Sequence, residues 1–412
     1  MIGEKITHRL AREPGSYKIL RYVREVVRRR DTGTVLTPPV PSNVLDRTAV
    51  DVSFLAGMLI DKFRYHLPLY RQHRRLLDSG IEVSRRSLTN WARRAIDVLK
   101  PVVAAQAAHI LSGDVVAMDE TTIKAGRTGP GKMRTAHYWP VYGQDDELVF
   151  HYAPSRAHKH VETFPGDFRG TLLSDGHGAY EALARRRGLV HARCWSHARR
   201  KFVEARSSDP QAVDRALALI GALYWHEKRI RKKKLDGAGK LAWRREHGTP
   251  AVDAYFDWCR QQRQRTDLLS NDPFGQALEY VAEREAGLRV FLDDPEIAID
   301  TNHLERGLRQ IPIGRRNWLF ALDRTRRRAR VGAIQSLLVT CQMQGVNPYT
   351  YLVDVLERVD GHPGKRAIEL TPSVWKELFA DNPLRSDLDR VRNPPANWPT
   401  KVQNGLFFAT HI

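Results

Sequence analysis

The stretch DVVAMD at residues 114–119 places an apolar run directly before a carboxylate, that of Asp119. The stretch TLLSD at residues 171–175 repeats this pattern and ends at Asp175. Short apolar runs bounded by polar residues are typical of buried β-strands. The two stretches therefore predict two buried strands, each followed at once by an acidic side chain.

Three further apolar runs lie around these two. HYWPVYG at 137–143 and ELVFHYA at 147–153 predict strands before TLLSD, and LVHARC at 189–194 predicts one after it. A short helix is predicted near 157–164. The expected order is three strands, a helix and two more strands, which predicts an α/β core over residues 113–206.

A third acidic residue, Glu305, lies in the helical stretch NHLERGLRQI at residues 302–311. Two carboxylates at strand ends and one on a helix can hold two divalent cations about 3.5–4 Å apart. Such a pair of ions activates water and stabilises the leaving oxygen in phosphodiester cleavage. The three acids predict a metal-dependent nuclease or strand-transferase.

The acidic residues lie within longer motifs that resemble a known family. The motifs are MDET at 118–121, LLSDGHGAY at 172–180, HARCWSHARRKF at 191–202 and NHLERGLRQIPIGRRNWLF at 302–320. In this order they resemble the transposases of the insertion sequence 66 family, which are DDE enzymes with a ribonuclease H-like core. The resemblance extends roughly from residue 45 to residue 360.

The resemblance implies a fold and an activity. The fold would be an α/β ribonuclease H-like catalytic core with a helical N-terminal region and an all-α insertion between the second Asp and the Glu. Asp119, Asp175 and Glu305 would be the catalytic acids and would bind Mg2+, with Mn2+ as an alternative. The enzyme would cleave DNA at the ends of a mobile element and join the freed 3′ hydroxyl to target DNA. It would work as a homo-oligomer, with accessory proteins of the same element as further candidate partners.

Each acid also has a plainer interpretation. An Asp after a strand is usually a turn or cap residue, and Glu305 on an Arg-rich helix is usually an exposed partner of a residue such as Arg309. Glu120 competes with Asp119 for the first position, but adjacent strand residues face opposite sides of the sheet, and we assign Asp119. Asn302 is expected to share the face of Glu305, because it lies three residues earlier on the same helix.

The residues His191, Cys194 and His197 are spaced by threes and invite a zinc interpretation. Three ligands in one short segment do not complete a structural zinc site, and no other Cys or His pair lies close by in sequence. The resemblance implies a different role, because Cys-x-x-His between the second Asp and the Glu braces the catalytic region of several DDE transposases. Cys194 and His197 are therefore predicted to be structural.

The chain carries a large excess of positive charge. Lys and Arg number 67 against 47 Asp and Glu, which gives a net charge of +20 and a pI of about 10.1. Such an excess neutralises phosphates and releases counterions, whereas a merely soluble enzyme needs much less charge. Binding to a membrane surface would instead require one basic amphipathic helix. The composition therefore predicts DNA as a partner and no membrane.

Basic clusters flank the acidic motifs. A single cluster of this kind is usually a solvated surface, but Arg beside an aromatic residue can also grip phosphate and stack on a base. Further basic runs lie at residues 228–229 and 231–234. The flanking residues predicted to bind DNA are Arg199, Arg200, Lys201, Arg315, Arg316 and Trp318.

Residues 46–112 have apolar residues at helical spacing, which predicts helices with one buried face. Gly80 is predicted to end one helix and Ser84 to cap the next. This arrangement is compatible with a helix-turn-helix in a DNA groove, and an ordinary helical hairpin with a solvated basic face explains it equally well. The side chains that would reach DNA are Arg85, Arg86 and Asn90.

The remaining parts of the chain complete the predicted division. Residues 1–45 are a remnant or diverged N-terminal segment that ends in the Pro-rich linker PPVP at 38–41 and lacks the cysteines of the family's zinc-binding segment. Residues 207–290 form the helical insertion. Residues 291–360 form the second part of the core, and 361–412 form a partly extended tail.

Three scattered cysteines argue against a disulfide framework. Neither a membrane-spanning stretch nor a signal peptide is recognisable, so we expect a cytoplasmic, nucleoid-associated bacterial protein. Two other functions stay open on the sequence. One is a catalytically inactive DNA-binding derivative, and the other is a ribonuclease H-like structure-specific nuclease.

Overall fold

The computed structural model describes residues 17–22, 26–36, 43–46, 48, 50–129, 132–268, 271–317 and 326–392. The predicted linker at 38–41 lies outside these residues. The hydroxyl of Ser84 accepts a hydrogen bond from the backbone N–H of Ser87 at 3.0 Å, which confirms the predicted cap. The first elements are β1 (Val27–Arg28), β2 (Val35–Leu36), α1 (Val52–Phe63), α2 (Leu69–Asp78), α3 (Arg85–Val98) and α4 (Lys100–Ser112).

The central sheet follows. All five predicted strands are confirmed, and so is the short helix after the third. The sequence interpretation missed one strand, β4, which pairs with an N-terminal extension of the predicted second strand. The elements are β3 (Val115–Met118), β4 (Thr121–Gly129), β5 (Lys132–Tyr142), β6 (Leu148–Ala153), α5 (His158–Thr163), β7 (Thr171–Ser174), α6 (Gly178–Arg187) and β8 (Val190–Arg193).

The sheet is mixed. Strands β3, β7 and β8 run parallel to one another, with Val115 opposite Thr171 in the first pair. Strand β5 is antiparallel to all three of its neighbours. It pairs with β3 and β4 along one edge and with β6 along the other, so that Tyr138 lies opposite Thr121 on one side and Tyr152 on the other. The order of the six-stranded sheet is therefore β4, β5, β3, β7, β8, with β6 pairing the other edge of β5, and this is compatible with a ribonuclease H-like transposase core.

Both faces of the sheet are buried. Along β3, Val115 and Ala117 join one hydrophobic cluster, and Val116 and Met118 join another on the opposite face. This alternation follows from the two-residue period of a strand. It explains why the sequence of β3 is apolar throughout, since a strand covered on both faces has no solvent-facing positions.

A long helical segment covers the first of these faces. Trp195 and Tyr255 from this segment share a cluster with Leu173 of β7, so the helices and the sheet have one continuous core. The helices are α7 (Trp195–Glu204), α8 (Pro210–Lys233), α9 (Gly237–Trp243), a π-helical turn (Arg244–Gly248), α10 (Thr249–Arg263), α11 (Pro273–Ala282), α12 (Glu285–Arg289) and a 3-10 turn (Val290–Leu292).

The remaining helices connect both ends of the described chain. Residues of α1, α3, α15 and α16 form a second core, which includes Leu55, Ile334 and Leu352. The segment after residue 360 was predicted to be partly extended, but its described part is mostly helical and Trp375 is buried. The elements are α13 (Asn302–Leu308), α14 (Gln310–Asn317), α15 (Arg326–Met343), α16 (Pro348–Arg358), a 3-10 helix (Gly364–Leu370), α17 (Pro372–Leu378) and α18 (Asp387–Arg392).

Helix α15 lies along the outer edge of β6. Its Thr340 hydroxyl accepts a hydrogen bond from the backbone N–H of Leu148 at 3.1 Å. Its Ser336 hydroxyl accepts one from the N–H of Phe150 at 2.9 Å. Gln106 of α4 donates to the carbonyl of Leu148 at 3.0 Å. Side chains therefore satisfy backbone groups that an edge strand would otherwise leave open.

Within the described ranges, no single helix is both long and apolar enough to span a membrane. The pair α3 and α4, bent by 41° between them, meets the length and composition requirement only when the two helices are taken together.

Candidate active site

Two of the predicted acids lie at the same end of the sheet. Asp119 follows β3 and Asp175 follows β7, and these strands are parallel neighbours in register from Val115 and Thr171 onward. The carboxyl ends of parallel neighbours meet at one edge of a sheet. The fold thus places together two acids that are far apart in sequence.

The turn after β7 is held by a set of local contacts. Asp175 Oδ1 accepts a hydrogen bond from the backbone N–H of His177 at 2.9 Å, and Arg193 donates to the Asp175 carbonyl at 3.1 Å. A Cβ atom at Gly176 would lie 2.5 Å from the hydroxyl of Tyr280. A side chain at residue 176 would therefore force Tyr280 of α11 to shift, and this contact was not foreseen by the sequence interpretation.

The third acid is carried to this region by helix α13. The segment before α13 is joined to the start of α7, since the N–H of Trp195 donates to the carbonyl of Ile299 at 3.1 Å. The Cys194 sulfur lies 3.3 Å from the hydroxyl of Thr301, the residue that precedes α13. Glu305 lies one turn into the helix, and its carboxylate is 3.8 Å from the guanidinium of Arg200. The plainer partner Arg309 is not the one the structure shows.

The charges of the three acids interact. The pKa of Asp119 is raised to about 7. Burial is the largest cause, and the negative charges of Glu120, Asp175 and Glu305 add to it. A hydrogen bond from the backbone N–H of Glu120 at 2.7 Å acts in the opposite direction. Asp119 is therefore a half-buried acid whose ionised form is opposed by its acidic neighbours.

Glu120 has separate partners. Its carboxylate accepts a hydrogen bond from the hydroxyl of Tyr180 at 2.8 Å and forms an ion pair with Arg156. Strand β3 ends at Met118 and β4 begins at Thr121, so the two acids lie between strands and strict strand alternation does not apply to them. The contacts of Glu120 nevertheless leave Asp119 as the freer ligand candidate.

The Cys-x-x-His residues lie between the acids. Cys194 contacts Thr301 as described, while His197 has a buried Nδ1 with no hydrogen-bond partner among the described residues. Burial lowers the pKa of His197, and the charges of Asp175 and Glu305 oppose that shift. His191 is turned to the Ser174 hydroxyl at 2.8 Å, and burial lowers its pKa to about 3.

A metal-binding geometry is not assembled within the described residues. No group of three or more His, Cys, Asp or Glu side chains there is arranged to hold a metal ion. This holds for the zinc interpretation of His191, Cys194 and His197 as well as for the acids. The donor chemistry of the three carboxylates is that of Mg2+ ligands, because hard divalent cations prefer oxygen. Their mutual repulsion is the kind that a bound cation relieves.

Several predicted DNA contacts are exposed and others are engaged within the chain. Arg85, Arg86, Arg199, Arg200 and Lys201 are exposed. Asn90 accepts a hydrogen bond from Arg93 at 2.7 Å. The Asn302 amide is turned to Asp300, and its backbone N–H also donates to that carboxylate, at 3.0 Å.

Arg315 is bound to the sheet. Its guanidinium donates to the hydroxyls of Thr121 and Thr122, both at 3.1 Å. It thus fixes α14 against the start of β4, immediately after the Asp119–Glu120 pair. The side chain of Arg316 and the whole of Trp318 lie outside the described residues.

Residues from the helical segment complete the surroundings of Asp175. The Tyr280 ring has the Arg284 guanidinium 4.1 Å from its centroid and the Lys201 ammonium at 5.7 Å. Burial raises the pKa of Tyr280, and the charge of Asp175 adds to this. Gly176 in the motif LLSDGHGAY is the only sequence signal for this contact, and it does not say which residue approaches.

Comparison with known proteins gives consistent matches. Residues 47–329 match the Transposase IS66 family, and residues 336–373 match the IS66 C-terminal element. The uncharacterized protein y4jD of Sinorhizobium fredii (strain NBRC 101917 / NGR234) is 31% identical over 402 residues, which cover 91% of this chain and 76% of that protein. The uncharacterized protein y4hP of the same strain is 29% identical over 402 residues, covering 92% and 72%.

Proposed function

Because this chain belongs to the IS66 family of transposases, we propose that it cleaves and joins DNA strands at the ends of an insertion sequence. Asp119, Asp175 and Glu305 are the acids of a DDE site in this proposal. The observation that carries it is the meeting of Asp119 and Asp175 at the ends of parallel neighbours, with the charge of Glu305 acting on Asp119.

The three carboxylates would hold Mg2+, or Mn2+ in its place. When bound there, divalent cations would activate the attacking hydroxyl and stabilise the leaving oxygen of the phosphodiester. The protein side supplies ionised oxygen ligands, which requires Asp119 to lose its proton near neutral pH. Glu305 is available for this role because its pairing with Arg200 is long and solvent-exposed, and such pairs contribute little free energy.

The basic side chains beside the acids have a matching role. Arg199 and Lys201 are exposed on α7, the helix that follows β8. Positive side chains at this position attract the phosphate backbone and offset its repulsion by the acids. Arg200 alternates in this proposal between Glu305 and a DNA phosphate, since both are anionic partners for a guanidinium.

A cleavage assay tests the proposal. Purified protein is incubated with labelled duplex carrying an element end, with and without Mg2+, and nicking and binding are measured separately. Asp119→Asn is expected to abolish nicking while DNA affinity stays within about twofold. Asp114→Asn is the matched control, because Asp114 is exposed at the opposite end of the same strand.

The other outcomes distinguish the alternatives. Nicking by Asp119→Asn at the wild-type rate removes Asp119 from the site. Binding of the duplex without nicking at any Mg2+ or Mn2+ concentration favours the inactive DNA-binding derivative. Nicking of branched DNA regardless of its end sequence, with no strand joining, favours the structure-specific nuclease.

A further inference from the structure

Helix α8 ends in a group of exposed cations that form no ion pair with an acid among the described residues. We define the α8 basic stripe as Lys228, Arg229, Arg231, Lys232, Lys233, Lys234 and Arg245, all of which are exposed. Within the described part of the chain, none of these residues forms an ion pair with an Asp or Glu. The one acid that α8 contributes nearby, Glu227, is buried and bound to Arg244.

Neighbouring helices behave differently. Arg260 pairs with Asp257 at 2.7 Å, and Arg263 pairs with Glu279 at 2.8 Å. Arg206 of the helical segment is paired with Asp214 in the same way, whereas the exposed Arg215 of α8 forms no such pair among the described residues. A solvated surface usually carries interspersed charges of both signs. The α8 basic stripe departs from this pattern locally, because its seven cations outnumber the exposed acids Asp236 and Glu246 that lie next to it in sequence.

Aromatic rings hold two of these cations in place. The Arg229 guanidinium lies 4.6 Å from the centroid of Trp225, and the Lys233 ammonium lies 4.2 Å from that of Trp243. Trp225, Arg229 and Lys233 are spaced by four residues and so share one face of α8. A cation resting on a ring has lost part of its rotamer freedom before it meets a ligand. The charged groups are thus preorganised for an anion.

Buried contacts of Arg244 connect the stripe to the segment that leads to α13, the helix that carries Glu305. Arg244 follows α9 and is buried, and it binds both carboxylate oxygens of Glu227 at 2.8 and 2.9 Å. It also donates to the carbonyls of Asp294 at 2.9 Å and Ile297 at 3.1 Å, in the segment that leads to α13. The base of the stripe and the support of the Glu305 helix therefore share one buried contact point.

The part of α8 that precedes the stripe lies near the segment that leads to α13. Tyr224 directly precedes Trp225, and the charge of Asp300 adds to burial in raising the Tyr224 pKa. Asp300 lies two residues before α13, and Arg199 of α7 acts on the same tyrosine with the opposite sign. From Tyr224, one further helical turn along α8 reaches Lys228.

We propose that the α8 basic stripe binds the phosphate backbone of duplex DNA beyond the cleavage point, as a second DNA contact. This rests on the proposed function, which supplies DNA as the substrate. The unpaired charge gives the attraction, the rings give preorganisation, and the Arg244 contact fixes the stripe relative to the acids. Phosphate contacts of this kind position a duplex without reading its sequence.

The test compares two variants of equal charge. In the stripe variant Arg229, Arg231, Lys232 and Lys233 are each changed to Gln. In the control variant Arg206, Arg260, Arg263 and Arg366 are each changed to Gln, because these are exposed cations that already have acidic partners. Binding of fluorescent duplex is measured without divalent metal across a range of salt, and circular dichroism verifies that both variants fold.

The expected result is a loss of affinity with a changed salt dependence. Each phosphate contact contributes about 0.9 to the slope of log K against log salt, so four lost contacts predict a slope smaller by about 3.6. Affinity of the stripe variant should fall at least tenfold at about 150 mM salt. The control variant should keep the wild-type slope.

Two results would overturn the inference. One is a wild-type slope in the stripe variant, and the other is an equal loss in both variants, which would mean that net charge alone matters. Competition by polyglutamate as effective as competition by DNA would point to an acidic protein partner instead. If wild-type protein bound no duplex at all, both the inference and the proposed function would fail, whereas a wild-type slope in the stripe variant overturns the inference alone.

Discussion

Asp119 is the residue at which the electrostatics of the site are most unusual. It is half-buried just after β3, and three other acids act on its carboxyl. An acid whose pKa is raised by neighbouring acids is typical of functional sites, because structure alone gains nothing from the repulsion. The free-energy cost is borne by the folded, metal-free protein.

This cost should be visible in the stability of the metal-free protein. The pKa of Asp119 is raised in the fold from 3.8 to about 7. Its contribution is therefore fully favourable below about pH 4 and is lost as the pH rises through about 7. Asp119→Asn should unfold at a higher temperature than wild type, and the gap should widen between about pH 4 and pH 8. At about pH 8 we expect a gain of about 1–3 kcal/mol.

Thermal melts of both proteins in EDTA across this pH range provide the measurement. Asp114→Asn, at the exposed end of the same strand, should show no such widening gap. Addition of Mg2+ should raise the melting temperature of wild type more than that of Asp119→Asn. A gap that is constant with pH would mean that Asp119 has an ordinary pKa.

At the residue scale, the sequence predicts the placement of the two aspartates better than it predicts their neighbours. The positions of Asp119 and Asp175 could be predicted because each directly follows an apolar strand, while their role as metal ligands stays a prediction. Tyr280, Arg284 and the pairing of Arg200 with Glu305 could not, because these contacts join side chains from separate helices. Their geometry depends on how α11 and α7 pack, which no local pattern encodes.

Among the elements, the junction of α7 and α13 decides where Glu305 lies. Cys194 and Trp195 at the start of α7 bind Thr301 and Ile299 just before α13. Cys194 is buried beside Thr301, and its thiol serves as a weak hydrogen-bonding group there. The contact fits the predicted bracing role of Cys194, which stays a prediction.

Removal of this contact should shift the Glu305 helix without unfolding the protein. We expect Cys194→Ala to reduce Mg2+-dependent cleavage by about 10–100-fold, because small misplacements of catalytic groups have effects of this size. Cys194→Ser should retain most activity, since its hydroxyl can replace the contact with Thr301. Both are measured by single-turnover cleavage, with duplex affinity as the control. Equal activity in the Ala variant and wild type would show that the contact does not position Glu305.

Strand β4 was missed because it forms through pairing with another strand and not through its own sequence pattern. The stretch after Glu120 is rich in Thr, Lys, Arg and Gly and lacks an apolar run. It forms a strand because β5 extends beyond the sheet and offers a partner for it. Pairing of this kind is a tertiary effect, and intrinsic strand preference is a weak guide to it.

For the whole molecule, the second hydrophobic core joins distant parts of the chain. Helices α1 and α3 pack with α15 and α16 around residues such as Leu55, Leu88 and Leu352. The N-terminal helices therefore depend on the C-terminal element for their burial. A boundary at residue 112 follows the change in sequence pattern but divides a shared core.

Truncation tests this dependence. A chain ending at residue 317 would expose the apolar faces of α1, α3 and α4 that now contact α15 and α16. We expect it to aggregate or to bind a hydrophobic dye, while co-expression with residues 318–412 should restore a compact complex. The measurement is size-exclusion chromatography with dye fluorescence. A compact, dye-negative fragment would show that the N-terminal helices fold independently.

At the scale of the whole molecule, the sequence predicts the fold class but not how the helical segment packs on the sheet. The alternation of strands and helices predicted the α/β class, because the hydrophobic period of each strand or helix is visible within a short stretch of sequence. The continuity of the helical segment with the sheet was not predicted, since Trp195 and Tyr255 meet Leu173 only in the folded chain. The six-part division of the chain is still a prediction.

The hydroxyls of Ser336 and Thr340 have a consequence for self-assembly. By occupying backbone N–H groups on the free side of β6, they leave that rim unable to recruit a strand from another copy. Extension of the sheet from one molecule into the next is therefore disfavoured along this side. Two copies that associated here would meet through side chains of α15 rather than through paired backbones.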